Sequence, residues 1–294
     1  MRILVLGGSG LIGAHVVDVL RESGHTAVTA ARSARAGVDH VFDLKSDDPR
    51  PILAGCDGVV LATRTDEQRP LPRPIYPAFR RDMVDPVVRL FAAAREQGLT
   101  RGAVMGSYYT YFDRLHPQWR LSEHHTYIRC RLEQAREARA AAGPGLPVAV
   151  LELPFVFGRA GDRLPNWSGP LGTWAQSRFP LVAPPGGTAV TTARNVAEAT
   201  VDALESRSNA DLPIGDENLS WSEMIARIAG RPVRTLPAPV VKAALRAGGA
   251  LQKATRKESG VNPTYFAGLL LADLFIEPPT GRSVESAIRD SFPR

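Results

Sequence analysis

Three glycines near the amino terminus have the spacing of a phosphate-binding turn. Gly7, Gly10 and Gly13 follow the apolar run Arg2–Leu6 and precede a stretch with the apolar periodicity of a helix. In such a unit the glycines permit a tight turn, close approach of the backbone to a diphosphate and close packing of the helix on the strand. The free N–H groups of the helix then face the phosphates. The spacing predicts a dinucleotide diphosphate site, with a tight turn that binds nothing as the simpler alternative. The residues assigned to it are Gly7, Ser9, Gly10, Leu11, Ile12 and Gly13.

The residues after the second apolar run, Thr26–Ala31, indicate which dinucleotide is bound. An acidic residue there would bind the ribose hydroxyls of NAD. This chain has Arg32 and Ser33 instead, and a guanidinium beside a hydroxyl can bind a 2′-phosphate. We therefore predict NADP(H) in preference to NAD(H), although Arg32 could also be an ordinary surface arginine. Asp43 and Leu44, after the third run, are expected beside the adenine, with a turn role as the alternative for Asp43.

The elements that must position these residues alternate between strands and helices. Alternation of this kind builds right-handed βαβ units, so the sequence predicts an α/β fold with a Rossmann-type, doubly wound parallel sheet. The predicted strands are Arg2–Leu6, Thr26–Ala31, Val38–Phe42, Gly58–Ala62, Ala103–Ser107 and Val148–Leu153, and the main predicted helices are Ala14–Ser23, Asp82–Gln97 and Thr126–Ala142.

The sequence pattern changes after residue 158, where Pro, Gly and Trp become frequent. We predict a dinucleotide-binding domain over 1–158 and a smaller, mostly helical substrate-binding domain over 159–294. The helix Asn195–Glu205 is expected to pack back on the first domain. The apolar stretch Phe266–Ala272 predicts a helix that is buried or faces a second copy of the chain.

Composition excludes several classes of protein. The chain has 294 residues, of which 44% are hydrophobic and 22% charged, which argues against a disordered or low-complexity polypeptide. The net charge is +6, but the basic residues are interleaved with acidic ones along the chain, so no nucleic-acid partner is expected. No apolar run approaches the ~20 residues that cross a bilayer. Cys56 and Cys130 cannot form a disulfide framework, and reduced thiols in a cytoplasmic protein are expected. The expected partner is a small-molecule substrate, with a homodimer as a further candidate.

Three further features point to one family. Ser107 ends the fifth predicted strand, and Tyr127 opens a helix with a basic residue four positions on. With the glycine spacing, these features resemble the extended short-chain dehydrogenase/reductase superfamily, in particular its NAD(P)-dependent epimerase/dehydratase and dihydroflavonol-reductase-like branches. Leu153–Gly158 is similar to the segment that this family places beside the nicotinamide. The resemblance implies that Ala62 and Pro154 also contact the cofactor.

The resemblance also implies a catalytic set. A tyrosine exchanges the proton of the carbonyl or hydroxyl group, and a serine orients that oxygen. A lysine one helical turn after the tyrosine binds the nicotinamide ribose and favours the phenolate. A free phenol has a pKa near ~10, so an adjacent cation matters at neutral pH. The matching residues are Ser107, Tyr127 and Arg131, and the i, i+4 spacing puts the last two on one helix face.

Arg131 departs from the family pattern, because arginine is planar and does not exchange a proton. Three interpretations remain open. The arginine serves in place of lysine in an NADP-dependent oxidoreductase that reduces a carbonyl or oxidises a secondary alcohol. Alternatively, the site runs an epimerase, dehydratase or other non-redox reaction. In the third interpretation, the protein binds NADP as a sensor without turnover.

Other residues near the predicted site carry weaker signals. His124 and His125 have no third ligand at metal-binding spacing, so no metal site is predicted, although one histidine could act as a secondary acid or base. Arg69 and Arg73 could meet an anionic group, with a solvated loop face as the commoner arrangement. Trp167 could form a substrate wall or pack within the second domain.

Overall fold

Strands and helices alternate along the first half of the chain in the computed structural model, which describes residues 1–63, 70–254 and 257–293. The elements in chain order are β1 (Arg2–Leu6), α1 (Leu11–Glu22), β2 (Thr26–Ala31), β3 (His40–Val41), α2 (Arg50–Leu53), β4 (Gly58–Leu61), β5 (Leu71–Pro72), α3 (Tyr76–Met83), α4 (Asp85–Glu96), β6 (Arg101–Met105), α5 (Tyr108–Leu115), α6 (Leu121–His124), α7 (Thr126–Ala142), β7 (Val148–Glu152) and β8 (Phe155–Phe157).

The second half of the chain contains shorter strands among its helices. Its elements are α8 (Ser168–Ala175), β9 (Val182–Ala183), β10 (Gly187–Thr192), α9 (Ala193–Glu205), β11 (Asp211–Pro213), β12 (Glu217–Ser220), α10 (Trp221–Ala229), β13 (Arg234–Thr235), α11 (Ala238–Ala254), β14 (Lys257–Glu258), α12 (Pro263–Leu271), β15 (Asp273–Leu274) and α13 (Glu285–Ser291). Over the described ranges, no helix combines the length and the apolar character needed to span a membrane.

The central sheet has seven parallel strands in the order β11-β7-β6-β4-β1-β2-β3. Alternate residues of β1 point to opposite faces, as the two-residue period of a strand requires. Leu4 and Leu6 pack in the core under α4 and α7, whereas Ile3 and Val5 pack in the core under α1 and α9. This topology confirms the predicted doubly wound α/β fold.

The strand order reverses between β1 and β4. A reversal of this kind opens a crevice at the carboxyl ends of the strands, where ligands of doubly wound folds bind. The glycine turn after β1 and the residues after β4 lie at this edge. The topology therefore places the predicted cofactor residues of both segments at one crevice.

The second half returns to the first through α9 and β11. β11 extends the central sheet beside β7, and α9 packs against α1. Arg194 of α9 forms an ion pair with Glu22 of α1 at 2.6 Å. α9 thus contacts α1 through both apolar packing and an ion pair. A second sheet, which the sequence did not predict, joins β12, β10, β15 and β8.

Prolines explain where the helices before β6 differ from the expectation. The helix predicted over Asp82–Gln97 begins three residues later as α4, and a further helix that was not predicted, α3, precedes it. Pro86 lies at the start of α4, and a proline there cannot continue a helix from the preceding turn. Pro77 similarly lies in the first turn of α3, where its missing N–H costs nothing.

The glycine turn brings α1 into van der Waals contact with the end of β1. A Cβ added at Gly13 would lie 2.1 Å from the Gly7 carbonyl oxygen. Gly7 itself has φ of +87°, and its added Cβ would lie 2.7 Å from the Ala62 oxygen. In both cases the added Cβ would overlap backbone atoms, so a side chain at either position would displace the helix or the neighbouring strand.

We expect Gly13→Ala to lower the free energy of unfolding by about 1–3 kcal/mol or more, because the new methyl group overlaps backbone. Urea denaturation checks this value. Gly145→Ala is the matched control, since nothing lies within 4 Å of a Cβ at that glycine. Equal stabilities of the two variants would contradict the close packing of α1 on the turn.

Candidate active site

The glycine turn has the form of a diphosphate cradle. Gly7 N donates to the Ala30 oxygen at 2.8 Å, and Gly10 N donates to the Gly7 oxygen at 2.9 Å. Gly10 caps α1 without any side-chain hydrogen bond. The first amides of a helix have no partner inside the helix, so those of α1 are free to bind an anion. The turn therefore fits the diphosphate predicted for Gly7, Ser9, Gly10, Leu11, Ile12 and Gly13.

The residues predicted for the adenosine end lie after β2 and β3. Arg32 and Ser33 are exposed just after β2. Asp43 has the turn geometry that was the alternative for it, because its Oδ1 accepts the Lys45 N–H at 3.0 Å. Arg35, which the sequence argument did not select, lines a cavity with Gly8 and Ser9. Its position three residues after Arg32 was the available signal.

Ser107 lies at the carboxyl end of β6, where it begins α5. The residue is buried, and its carbonyl accepts the Thr110 N–H at 3.0 Å. Tyr108 N donates to the Leu153 oxygen at 3.0 Å, which continues the pairing of β6 and β7 past the strand ends. The segment around Pro154 is thereby held alongside Ser107 at the crevice edge.

Tyr127 and Arg131 form a hydrogen bond within α7. Arg131 Nε donates to the Tyr127 hydroxyl at 3.1 Å, and both side chains are buried. Arg131 Nη1 donates to the Met105 carbonyl at 2.9 Å and to Gln134 Oε1 at 2.8 Å. Gln134 in turn donates to the Met83 oxygen at 2.7 Å. The network ties the tyrosine to the end of β6, two residues before Ser107, so the structure brings the three predicted residues to one edge.

The charge of Arg131 has no carboxylate partner within the described ranges; its acceptors are a carbonyl, an amide and the tyrosine. Burying a cation without a counter-ion is costly, and such sites are commonly functional. The guanidinium carbon also lies 5.2 Å from the Tyr127 ring centroid. The positive charge is therefore held beside the tyrosine oxygen by the Nε hydrogen bond.

A segment of the second half holds the start of α7. Tyr127 N, one of the helix amides without an intrahelical partner, donates to the Gly260 oxygen at 2.9 Å. Asn262 N donates to His125 Nδ1 at 3.0 Å. The Gly260 carbonyl thus supplies the amino-terminal cap that the side chain of His125 does not provide, and the Asn262 N–H holds that histidine in place.

His125 is fully buried and neutral. Because Nδ1 accepts a hydrogen bond, the proton resides on Nε2, which has no partner among the residues the structure describes. Burial, aided by the neighbouring His124, lowers the pKa of His125 to about 4. His124 itself stacks on Tyr265 with ring centroids 3.7 Å apart.

The remaining predicted features have other surroundings. Trp167 packs edge-on against Phe157 of β8, with ring centroids 4.9 Å apart, and its ring centroid lies 6.0 Å from that of Phe292, so its contacts fit the packing alternative. Arg73 pairs with Glu258 at 2.8 Å, whereas Arg69 lies outside the described residues. In the described part of the chain, no group of three or more His, Cys, Asp or Glu could hold a metal ion.

A cavity of about 590 Å³ lies between α5 and α7, and none of the predicted catalytic residues lines it. The buried Glu152 does line it, and Arg114 binds this carboxylate through two hydrogen bonds of 2.8 and 2.7 Å. An ion pair with both carboxylate oxygens occupied is a structural contact, so we place the site at the crevice.

We expect His125 to make stability depend on pH. Its folded-state pKa lies below the ordinary value of 6.5, so the unfolded chain binds the proton more tightly. The contribution is complete above about pH 6.5 and is lost as the pH falls towards 4. Relative to His125→Asn, which keeps an acceptor for Asn262 N, the wild type should lose up to about 3 kcal/mol across this window. Urea denaturation at a series of pH values measures the difference; parallel curves would contradict it.

Known proteins resemble this chain in sequence pattern and in fold. The model of the NAD dependent epimerase/dehydratase family matches residues 3–166. No curated protein matches the chain.

Solved structures share the fold at low sequence identity. The crystal structure of gox2253 has a TM-score of 0.76 at 18% identity, covering 99% of this chain and 96% of that chain. TunA, described as an NAD dependent NDP-hexosamine 5,6-dehydratase involved in tunicamycin biosynthesis, has a TM-score of 0.68 at 14% identity, with coverage of 99% and 96%. The UDP-N-acetylglucosamine 4-epimerase from Bacillus cereus has a TM-score of 0.63 at 19% identity, with coverage of 80% and 85%.

The family match covers more than half of the chain and includes the glycine turn, Ser107, Tyr127 and Arg131. It confirms the resemblance to the extended short-chain dehydrogenase/reductase superfamily. The chain belongs to the NAD dependent epimerase/dehydratase family.

Proposed function

We propose that this protein is an NADP-dependent oxidoreductase that reduces a carbonyl group, or oxidises a secondary alcohol, of a small metabolite. The observation that carries the proposal is the 3.1 Å hydrogen bond from Arg131 Nε to the Tyr127 hydroxyl. It gives the tyrosine a fixed position and a neighbouring cation, which acid–base work on a substrate oxygen requires.

The chain's own residues have separate roles in this reaction. Tyr127 donates its hydroxyl proton to the substrate oxygen in reduction and takes it back in oxidation. Ser107 donates a hydrogen bond that orients the same oxygen. Arg131 stabilises the phenolate left on Tyr127. A nicotinamide bound beside Pro154 would supply or accept the hydride.

Arg131 stands at the position of the family's lysine but differs from lysine in its hydrogen bonds and in its inability to release a proton. Nε and Nη1 already donate to protein acceptors, so Nη2 is the nitrogen we assign to a ribose hydroxyl. The guanidinium also cannot release a proton, so the proton that Tyr127 loses must be restored from solvent by another route. We expect slower turnover than a lysine would give.

The second candidate is an epimerase or dehydratase that uses the cofactor only transiently. Two similar structures favour it, those of a UDP-N-acetylglucosamine 4-epimerase and of an NDP-hexosamine 5,6-dehydratase. Such an enzyme returns the hydride to its own substrate. Net consumption of NADPH with a carbonyl compound therefore separates the two candidates.

We expect Tyr127→Phe to reduce kcat for carbonyl reduction by about 10²–10⁴-fold, because it removes the proton donor together with the acceptor of the Arg131 Nε hydrogen bond. NADPH oxidation, followed at 340 nm over a panel of ketones and aldehydes, measures the loss. Tyr111→Phe is the control, since Tyr111 packs its ring on Phe112 and a phenylalanine keeps that contact. NADPH affinity should stay within about threefold in both variants.

Full activity of Tyr127→Phe would exclude the proposed role. Bound cofactor that never exchanges, with epimerised product, would instead select the second candidate.

We expect the wild type to bind NADPH more tightly than NADH and Arg32→Asp to reverse the order. The substitution removes a guanidinium from the predicted 2′-phosphate and adds a carboxylate for the ribose hydroxyls. Fluorescence titration with both cofactors measures the ratio of dissociation constants, which should change by about 10–100-fold. An unchanged ratio would show that Arg32 does not set the preference.

A further inference from the structure

A cavity of about 570 Å³ lies beside the glycine turn. One wall is formed by Gly8 and Ser9 of the turn and by the outer face of α1, and a second by Arg35 and the two residues after it. The third wall comes from the loop that follows β8, from Arg159 to Arg163. Residues after β2 meet the ribose end of a dinucleotide in this fold. The cavity therefore lies where both halves of the chain could contact the cofactor.

The loop from Arg159 to Arg163, here called the β8 loop, has a defined shape. Ala160 and Arg163 exchange two backbone hydrogen bonds of 3.0 and 2.9 Å across Gly161, which has φ of +58°. The Arg159 carbonyl lies 3.1 Å from His15 Nε2 of α1, and Gly158 N donates to Ser291 Oγ of α13 at 2.8 Å. The loop is thus attached to the helix that follows the glycine turn.

The charges around the cavity favour an anion. Three arginines line it, Arg35, Arg159 and Arg163, against two aspartates, Asp18 and Asp162. Arg159 Nε already donates to the Gly161 carbonyl at 2.6 Å, so Arg35 and Arg163 are the arginines assigned to an anion. The Asp162 side chain is 84% exposed and 3.5 Å from Arg163 Nε, so it neutralises that arginine weakly. Guanidinium groups bind phosphate in a bidentate manner, with charge on both partners. The chemistry of the walls therefore matches a phosphate group.

We propose that the β8 loop forms the second wall of the site for the 2′-phosphate of NADP, where Arg163 and Arg35 add their guanidinium groups to that of Arg32. This inference rests on the NADP preference proposed above and extends it to residues of the second half. The diphosphate stays with the amides of α1, whereas the cavity extends from Ser9 along His15 and Asp18, beyond the first turn of that helix. Phosphate binding would then hold the β8 loop against α1.

Isothermal titration calorimetry with two fragments tests the proposal without turnover. The fragments are 2′,5′-ADP, which carries the 2′-phosphate, and ADP, which carries the 5′-diphosphate alone. Arg163→Ala and Arg35→Ala should each weaken 2′,5′-ADP by about tenfold or more and ADP by less than about threefold. Arg163→Lys should recover part of the loss. Arg178→Ala is the matched control, because it removes an exposed arginine of the second half that does not line the cavity.

Each other outcome overturns a defined part of the account. Wild-type affinity of Arg163→Ala for 2′,5′-ADP, with a melting temperature that confirms folding, would remove the β8 loop from the site. Equal weakening of both fragments would place Arg163 at the 5′-phosphate, which both fragments carry. If the wild type binds NADH as tightly as NADPH, the NADP preference itself fails, which distinguishes that failure from an error about the loop alone.

Discussion

A buried arginine without a counter-ion constrains the architecture of this site. Arg131 donates to the Met105 carbonyl, to Gln134 and to the Tyr127 hydroxyl, and no carboxylate within the described ranges balances it. A cation in such surroundings is stabilised only while each acceptor stays in place. The end of β6 and the axis of α7 must therefore keep their relative position, and the tyrosine oxygen gains both its orientation and its electrostatic environment from that requirement.

The second half of the chain contributes to the same geometry. Gly260 caps the start of α7 and Asn262 N donates to His125, while β14 pairs with β5 and Glu258 binds Arg73. These contacts connect β5 with the start of α7. Apolar side chains around the tyrosine, Leu269 and Ile276 among them, make that region less polar than the phosphate end.

The sequence predicted the sheet and the position of the site because both depend on local patterns. Glycine spacing and apolar runs identified the crevice edge, and the i, i+4 spacing paired Tyr127 with Arg131. Sequence reasoning could not identify Gln134, Gly260 or Arg35. These residues act through contacts that are distant in sequence, or their side chains are of a common type. The helices α3 and α5 were not predicted for a related reason. Pro77 in α3 is typical of a loop, and the three tyrosines of α5 are typical of aromatic packing at a strand end, until tertiary contacts are known.

A crystal structure with NADPH bound would test the central claim most directly. The account requires the nicotinamide ring to lie against Pro154, with its reactive carbon on the side of the Tyr127 hydroxyl. Arg131 Nε should remain within hydrogen-bond distance of that hydroxyl. A tyrosine turned away from the nicotinamide, or a guanidinium withdrawn from it to pair with a carboxylate, would contradict the account.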